Sequence, residues 1–261
     1  MLVVDRLTKR YDRQAGVLDG VSFSVNKGEF VVLLGSSGCG KSTLFRCLTL
    51  MEQWDEGEII YDGCCLRTIE KKQKCKIRSH WAFIQQQPSL IQRRTALENV
   101  LAGRLNNTGL LRVMSGLFSE KDKQEAEFAL EKVGLSHRIN ARADTLSGGE
   151  QQRVSIARAL VQGARIIYAD EPVSSLDPAV SATVMKDLQT ICAAEGIAVV
   201  CSLHQVHLAE QYATRIIALA GGEIVLDTPS RTLLQQEKEF IYGGNTLDHN
   251  ILSLTKERRV L

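Results

Sequence analysis

The sequence lacks several features that would assign it to a specialised class. No uninterrupted apolar stretch is long enough to cross a bilayer, and charged side chains between positions 5 and 10 exclude the apolar core of a signal peptide there. No internal repeat or low-complexity segment is present. We therefore expect an ordinary globular protein on the cytosolic side of the membrane.

Zinc-type cysteine spacing and a strong net charge are also missing. The seven cysteines are odd in number and favour reduced thiols. The formal net charge is only +2, and the basic cluster at 71–78 has no interleaved aromatic residue, so we expect a solvated face there and no nucleic-acid partner. With 261 residues, 44% of them apolar, the chain can bury a large core.

A glycine-rich segment follows the apolar run at 30–34, which predicts a buried strand, and leads into a helix start. The segment 35–43 (GSSGCGKST) predicts a phosphate-binding loop, because its glycines let backbone N–H groups converge on an anion. We expect Lys41 to reach the β- and γ-phosphates of a nucleotide and Ser42 to hold Mg²⁺. The strand–loop–helix context disfavours an ordinary glycine-rich turn. The predicted nucleotide-binding residues of this loop are Gly35, Ser36, Ser37, Gly38, Cys39, Gly40, Lys41, Ser42 and Thr43.

Two adjacent carboxylates, Asp170 and Glu171, end another buried strand predicted at 165–169. Ligands of α/β sheets bind at such carboxyl ends. Asp170 is expected to hold Mg²⁺ directly or through water, and Glu171 to orient or deprotonate an attacking water. Either acid alone could be a helix cap or a surface charge, but their adjacency at a strand end disfavours that reading.

The segment 146–150 (LSGGE) predicts a second anion site at a helix start. A simple N-cap would explain Ser147 but not both Gly148 and Gly149, since each glycine costs a helix up to about 1 kcal/mol. We therefore expect the glycines to allow close approach of a ligand or another chain.

The order of the predicted elements indicates a divided core. Strands are predicted at 21–25, 30–34, 57–61 and 81–84, a helical block at 95–160, then strands at 165–169 and 197–201 around a helix at 178–194. We predict an α/β core at 1–86 and 161–235, a helical subdomain at 87–160 and a tail at 236–261.

In this order, the three motifs resemble the nucleotide-binding subunits of ABC transporters over about residues 1–230. The resemblance implies a P-loop NTPase (RecA-like) α/β core with an N-terminal antiparallel β subdomain and an inserted α-helical subdomain. It implies an ATPase using ATP and Mg²⁺, at the cytoplasmic face of the inner membrane. Two copies would pair head to tail, each ATP lying between the phosphate loop of one and Ser147, Gly148, Gly149 and Glu150 of the other. Transmembrane permease subunits and, indirectly, a solute-binding protein are the other implied partners.

The resemblance also implies roles for single residues. Tyr11 matches the aromatic residue that stacks on adenine, and His204 the switch histidine that contacts the γ-phosphate. Gln86 matches the glutamine that contacts Mg²⁺ and the water, although Gln85 and Gln87 leave that register open. The segment 174–177 matches the loop that crosses between subunits. The predicted catalytic set is Glu171, His204, Gln86 and Lys41, and the predicted Mg²⁺ ligands are Ser42, Gln86 and Asp170.

Three segments resemble the phosphonate-import ATPase subunits of bacteria. They are residues 99–104, the insert that ends at 117–118, and residues 203–206. Most importer relatives carry aspartate after the switch histidine, where this chain has Gln205. Phosphonates are the expected solute, with phosphite and other phosphorus oxyanions next. An importer of amino acids, an exporter ATPase, a soluble ABC ATPase and a regulatory cassette without hydrolysis are the alternatives. The apolar stretch 110–118 packs on the helical lobe or docks a partner.

Overall fold

The computed structural model describes residues 1–11, 16–107 and 118–242. The apolar stretch at 110–117 and the end of the chain from 243 lie outside these residues. The chain forms two compact units, one of residues 1–25, 31–68 and the chain from 202 onward, the other of residues 26–30 and 69–201. The predicted helical subdomain at 87–160 falls within the second unit, and its boundaries stay a prediction.

The strands are, in chain order, β1 (Leu2–Lys9), β2 (Leu18–Val25), β3 (Phe30–Leu34), β4 (Glu56–Tyr61), β5 (Cys64–Cys65), β6 (Trp81–Ile84), β7 (Ile166–Asp170), β8 (Ala198–Ser202), β9 (Arg215–Ala220) and β10 (Glu223–Pro229). The α-helices are α1 (Lys41–Leu48), α2 (Lys71–Arg78), α3 (Ala96–Leu101), α4 (Glu120–Lys132), α5 (Gly148–Gln162), α6 (Pro178–Glu195), α7 (Val206–Tyr212) and α8 (Gln235–Tyr242). Short 3₁₀ turns lie at Ala102–Asn107, Ser136–Arg138 and Ala143–Thr145.

The first unit contains an antiparallel sheet in the order β2-β1-β4-β5. The sequence did not predict strand β1 of this sheet, because Asp5 and Arg6 interrupt the apolar alternation. The structure accommodates them with an irregular register between Val4 and Leu7, where Arg6 takes a φ of +47°. The N-terminal antiparallel β subdomain expected from the motifs is therefore present.

The two strands that lead into the predicted motifs, β3 and β7, each pair in parallel with a neighbour. In the first unit β3 runs parallel to β9, which pairs antiparallel with β10. In the second unit the order is β8-β7-β6, with β6 parallel to β7. The buried residues of β3, β7 and β8 form near-continuous apolar runs, as is typical of strands covered on both faces.

The predicted helical block is confirmed in the residues the structure describes, where 95–160 contains helices, turns and one isolated bridge between Thr95 and Arg142. Thr95 and Ser119 begin α3 and α4 with capping boxes, and Gly163 ends α5 with a φ of +72°. Helices α3, α4 and α5 pack on one another, which buries their apolar faces.

All seven cysteines are free thiols, as their number and spacing predicted. Four of them are buried. Within 1–11, 16–107 and 118–242, no helix has the length and hydropathy required to cross a membrane.

Candidate functional site

The loop after β3 has a backbone that only glycine can follow at two positions. Gly35 and Gly40 have φ values of +152° and +109°. A Cβ at Gly35 would lie 2.5 Å from the carbonyl oxygen of Leu219, and one at Gly40 would lie 2.6 Å from that of Val17. The predicted glycine-rich curl is therefore enforced by close backbone packing as well as by backbone conformation.

Lys41 opens α1 with its side chain folded back into this loop. Its Nζ donates to the carbonyl oxygens of Gly35 at 2.7 Å and Ser36 at 3.0 Å, and the residue is only 5% exposed. Ser42 is exposed beside it in the first turn of the helix. A buried ammonium next to helical N–H groups is an arrangement that suits a polyphosphate.

Tyr11 lies at the side of this loop. Burial raises the pKa of its phenol, as does a hydrogen bond with Glu52, while a hydrogen bond with Thr43 of the phosphate loop lowers it. Lys9 Nζ lies 5.2 Å from the ring centroid, and Tyr11 remains 41% exposed. The residue predicted to stack on adenine thus lies near Thr43, the last residue of the phosphate loop.

His204 is exposed between β8 and α7, in the same unit as the phosphate loop. The preceding residue, Leu203, donates its N–H to the carbonyl oxygen of Leu33 at 3.1 Å. Since β3 ends one residue later, this bond fixes the start of the histidine loop beside the start of the phosphate loop.

Tyr242, the last residue of α8, also belongs to this group and was missed by the sequence reasoning. Its hydroxyl donates to the carbonyl oxygen of His204 at 3.2 Å. In the sequence it falls within the tail predicted at 236–261, and no local signal connects it with a residue 38 positions earlier.

The second unit carries the two predicted carboxylates. Asp170 ends β7 and is half-buried, and the next residue, Glu171, has a φ of +49° and precedes a proline. The N–H and hydroxyl of Ser174 donate to the Glu171 carbonyl at 3.3 and 3.1 Å. Non-glycine residues rarely adopt this left-handed conformation, which costs about 1–2 kcal/mol. Such local strain is typical of functional sites.

The Asp170 carboxylate affects the ionisation of a thiol on the neighbouring strand β8. Burial raises the pKa of Cys201 far above its ordinary value, and the Asp170 carboxylate adds to the rise. This thiol is therefore held neutral beside a half-buried carboxylate.

The glutamines after β6 lie in an exposed loop tied to α5. The side chain of Gln152 donates to the carbonyl oxygens of Gln85 and Gln86 at 2.9 and 3.0 Å. Gln85 Oε1 accepts a hydrogen bond from Ser89 at 2.7 Å. This bond engages the Gln85 side chain, and the choice among Gln85, Gln86 and Gln87 as the residue that reaches a nucleotide stays a prediction. Gln152 was another residue the sequence reasoning missed.

The segment at 146–150 begins α5 as predicted. Ser147 Oγ accepts the N–H of Glu150 at 3.3 Å, and Glu150 Oε2 accepts the N–H of Ser147 at 2.8 Å. Burial opposes ionisation of Glu150, but hydrogen bonds from Ser147 and Arg138 outweigh it and lower its pKa. The helix start is thus rigid before any ligand contacts it.

Gly149 has a reason to be glycine that the sequence did not show, and the expected approach of a ligand or another chain stays a prediction. A Cβ there would lie 2.1 Å from Val180 Cγ1, and one at Gly148 would lie 3.0 Å from Leu176 Cδ2. Packing of α5 against the segment around the start of α6, within this same chain, therefore already demands glycine at 149 without any ligand.

The predicted site residues fall into two groups. The first unit contains Tyr11, the loop at 35–43 and His204, and the second contains Gln86, the segment at 147–150, Asp170 and Glu171. The donors predicted for Mg²⁺ are all oxygens, one of them a carboxylate, and this ion is bound in proteins through one or two carboxylates together with substrate phosphates and water. In the described part of the chain no cluster of three or more histidine, cysteine or carboxylate side chains forms a metal cage. The oxygen chemistry of the predicted donors fits a Mg²⁺ ion that arrives with a nucleotide.

Comparison with known proteins shows which chains this one resembles. The family model described as ABC transporter matches residues 18–174. A phosphonates import ATP-binding protein of Oceanobacillus iheyensis is 43% identical over 243 residues, which span 93% of this chain and 96% of that protein. Another, from Shouchella clausii, is 40% identical over 252 residues, spanning 97% and 95% of the two chains.

Solved structures show the same architecture. The dimeric post-hydrolysis state of an ATP-binding cassette bound to ADP and Pi has a TM-score of 0.75 and 31% identity, covering 89% of this chain and 100% of that one. The ADP conformation of an ATP-binding cassette of an ABC transporter has a TM-score of 0.76 and 26% identity, covering 88% and 91%.

Proposed function

The chain belongs to the ABC transporter family, and we propose that it is the ATP-hydrolysing subunit of an importer for phosphonates or related phosphorus oxyanions. The observation that carries the catalytic part is the glycine loop with the buried ammonium of Lys41. The solute class is supported by relatives named for phosphonates import, which are 40–43% identical to this chain over more than nine-tenths of its length.

In the proposed reaction the phosphate loop and the N-terminus of α1 hold the phosphates of ATP. Lys41 exchanges its bonds to the loop carbonyls for bonds to the β- and γ-phosphates, which places its charge where negative charge develops. Ser42, Asp170 and Gln86 would hold Mg²⁺, which neutralises phosphate charge when it is bound. Tyr11 would stack on the adenine.

Glu171 and His204 have the proposed roles at the γ-phosphate. Glu171 orients the attacking water and accepts its proton, a role worth roughly 10²- to 10⁴-fold in rate. His204 contacts the γ-phosphate from the loop after β8. The left-handed backbone of Glu171 and the bond from Leu203 to Leu33 support these roles, since both fix where the two side chains begin.

The assembly is part of the proposal. Two copies pair head to tail, so that Ser147, Gly148, Gly149 and Glu150 of one copy complete the nucleotide site of the other. The likeness to a dimeric cassette supports this pairing. The capping box holds the backbone of this segment in one conformation, so it can meet a phosphate without further ordering. Permease subunits and, through them, a solute-binding protein complete the importer at the cytoplasmic face of the membrane.

Growth with an alkylphosphonate, phosphite or phosphate as the sole phosphorus source tests the function. A strain deleted for this gene receives the wild-type chain, Glu171→Gln, or Glu127→Gln, which alters an exposed glutamate of α4 as a matched control. We expect failure on an alkylphosphonate, rescue by wild type and Glu127→Gln alone, and normal growth of every strain on phosphate.

Two results would contradict the proposal in different ways. Normal growth of the deletion strain on alkylphosphonate and on phosphite would exclude the proposed solute class. It would not contradict the proposed hydrolysis of ATP. Rescue by Glu171→Gln would instead remove that glutamate from the proposed reaction. Failure on phosphite with growth on alkylphosphonate would reassign the solute within the phosphorus oxyanions.

A further inference from the structure

The segment 230–242, which we name the C-terminal strap, is fastened to helix α7. The Ser230 hydroxyl donates to the carbonyl oxygens of Ala209 and Glu210, at 3.4 and 3.2 Å. The N–H of Leu233 and the ammonium of Lys238 both bond Glu210 Oε1, at 2.8 and 3.0 Å. Burial opposes ionisation of Glu210, but these bonds prevail and lower its pKa, which keeps the anchor charged.

The strap also has its own internal order. Arg231 forms a two-pronged ion pair with Glu237, whose carboxylate additionally accepts the N–H of Leu234 at 2.7 Å. Leu233 and Ile241 are buried, and α8 packs on β9. Residues 230–242 are thus packed and hydrogen-bonded as part of the first unit.

The far end of the strap reaches the predicted site. Tyr242 donates its hydroxyl proton to the His204 carbonyl oxygen at 3.2 Å. Burial raises the pKa of this phenol, and the nearby backbone of Gly35 opposes the rise. The hydroxyl therefore contacts the main chain of the histidine loop and lies near the first glycine of the phosphate loop.

We propose that Tyr242 is a positioning residue that holds the His204 loop against the phosphate loop, so that the C-terminal strap sets the geometry of the γ-phosphate contact. Leu203 is fixed on one side by its bond to Leu33, and the His204 carbonyl is fixed on the other by Tyr242. Between these two bonds the backbone of His204 has little freedom, so the position from which its imidazole extends is fixed. The inference rests on the proposed role of His204.

The test removes only the hydroxyl. Tyr242→Phe keeps the ring and its packing, and Glu239→Gln on the exposed side of the same helix is the matched control. Each full-length purified chain is measured for kcat and KM with Mg-ATP, for its Tm, and for hydrogen exchange in peptides covering 203–207. Wild-type turnover is measured first, which tests ATP hydrolysis separately from positioning.

We expect Tyr242→Phe to lower kcat about fivefold, with KM for ATP within twofold of wild type and Tm matching the control. A fivefold loss corresponds to about 1 kcal/mol at 1.36 kcal/mol per tenfold. Exchange at 203–207 should be at least fivefold faster in the variant and unchanged in Glu239→Gln.

Unchanged kcat together with unchanged exchange would overturn the inference. So would a fall in kcat that Glu239→Gln shares, since that would indicate a general effect of altering α8. If the wild-type chain hydrolysed no ATP, the proposed function would fail, but faster exchange at 203–207 in Tyr242→Phe would still support the positioning contact and unchanged exchange would reject it.

Discussion

The side-chain nitrogen of Gln152 lies 2.9 Å from the carbonyl oxygen of Gln85 and 3.0 Å from that of Gln86. Gln152 is buried in α5, the helix that begins with the segment at 147–150. One amide therefore connects the glutamine loop with the helix of the second predicted anion site, over 67 residues of sequence. Movement of either element has to carry the other or break these bonds.

Replacing Gln152 should destabilise the protein and release that loop. Gln152→Leu leaves two carbonyl oxygens without their buried donor, which costs about 1–3 kcal/mol. Urea unfolding measures the loss, and Gln236→Leu, an exposed glutamine of α8, is the control with a change below about 0.5 kcal/mol. Equal stabilities of the two variants would show that the bonds to Gln85 and Gln86 add nothing.

Gly149→Ala tests the packing at the start of α5 that the sequence did not show. The new Cβ would lie 2.1 Å from Val180 Cγ1, so we expect a loss of about 1–3 kcal/mol in the free energy of unfolding. Combining it with Val180→Ala removes the opposing methyl and should recover most of that loss. Gly148→Ala, whose Cβ meets the end of a leucine at 3.0 Å, should cost less. No recovery in the double variant would contradict the steric account.

Glu171→Gln should separate nucleotide binding from hydrolysis. The amide keeps the size of the side chain but cannot accept a proton, so kcat should fall about 10²- to 10⁴-fold while Mg-ATP still binds. Phosphate release and nucleotide binding measure the two effects, with Glu127→Gln as control. We expect the variant with Mg-ATP to elute as a stable dimer. A strictly monomeric profile would count against the head-to-tail pairing.

Asp187 should make stability depend on pH. Burial raises its pKa to about 6, against the opposing charges of Arg153 and Lys186, and in the described part of the chain its Oδ2 has no hydrogen-bond partner. An aspartate of the unfolded chain titrates near pH 4. Between about pH 4 and pH 6 the folded state therefore holds the extra proton, and stability falls as the pH rises through that window.

Asp187→Asn removes this titration. At pH 7 the variant should be more stable than wild type, and the difference should shrink as the pH falls towards 4. Urea unfolding at pH 4, 5, 6 and 7 measures it, and Asp19→Asn, at an exposed position, should show a flat difference. An advantage of Asp187→Asn that is constant with pH would exclude the ionisation as its cause.

The sequence by itself determined the elements with local codes. The apolar runs of β3, β7 and β8 and the glycine spacing at 35–40 carry their conformations in neighbouring residues, and Ser147 with Glu150 encodes a helix start. The order of these motifs was also enough to indicate the family, because each motif is contiguous. Strand β1 was missed because its apolar pattern breaks at Asp5, and only pairing with β2 and β4 makes it a strand.

Tertiary structure alone decided which residues support the predicted site. Gln152, Tyr242 and Val180 act on residues 67, 38 and 31 positions away, as the bonds to Gln85 and His204 and the contact at Gly149 show. No periodicity or spacing encodes such contacts, because they arise only when packed elements bring distant backbone together. The chemistry of the site is thus written in short motifs, whereas the rigidity that positions it comes from the fold.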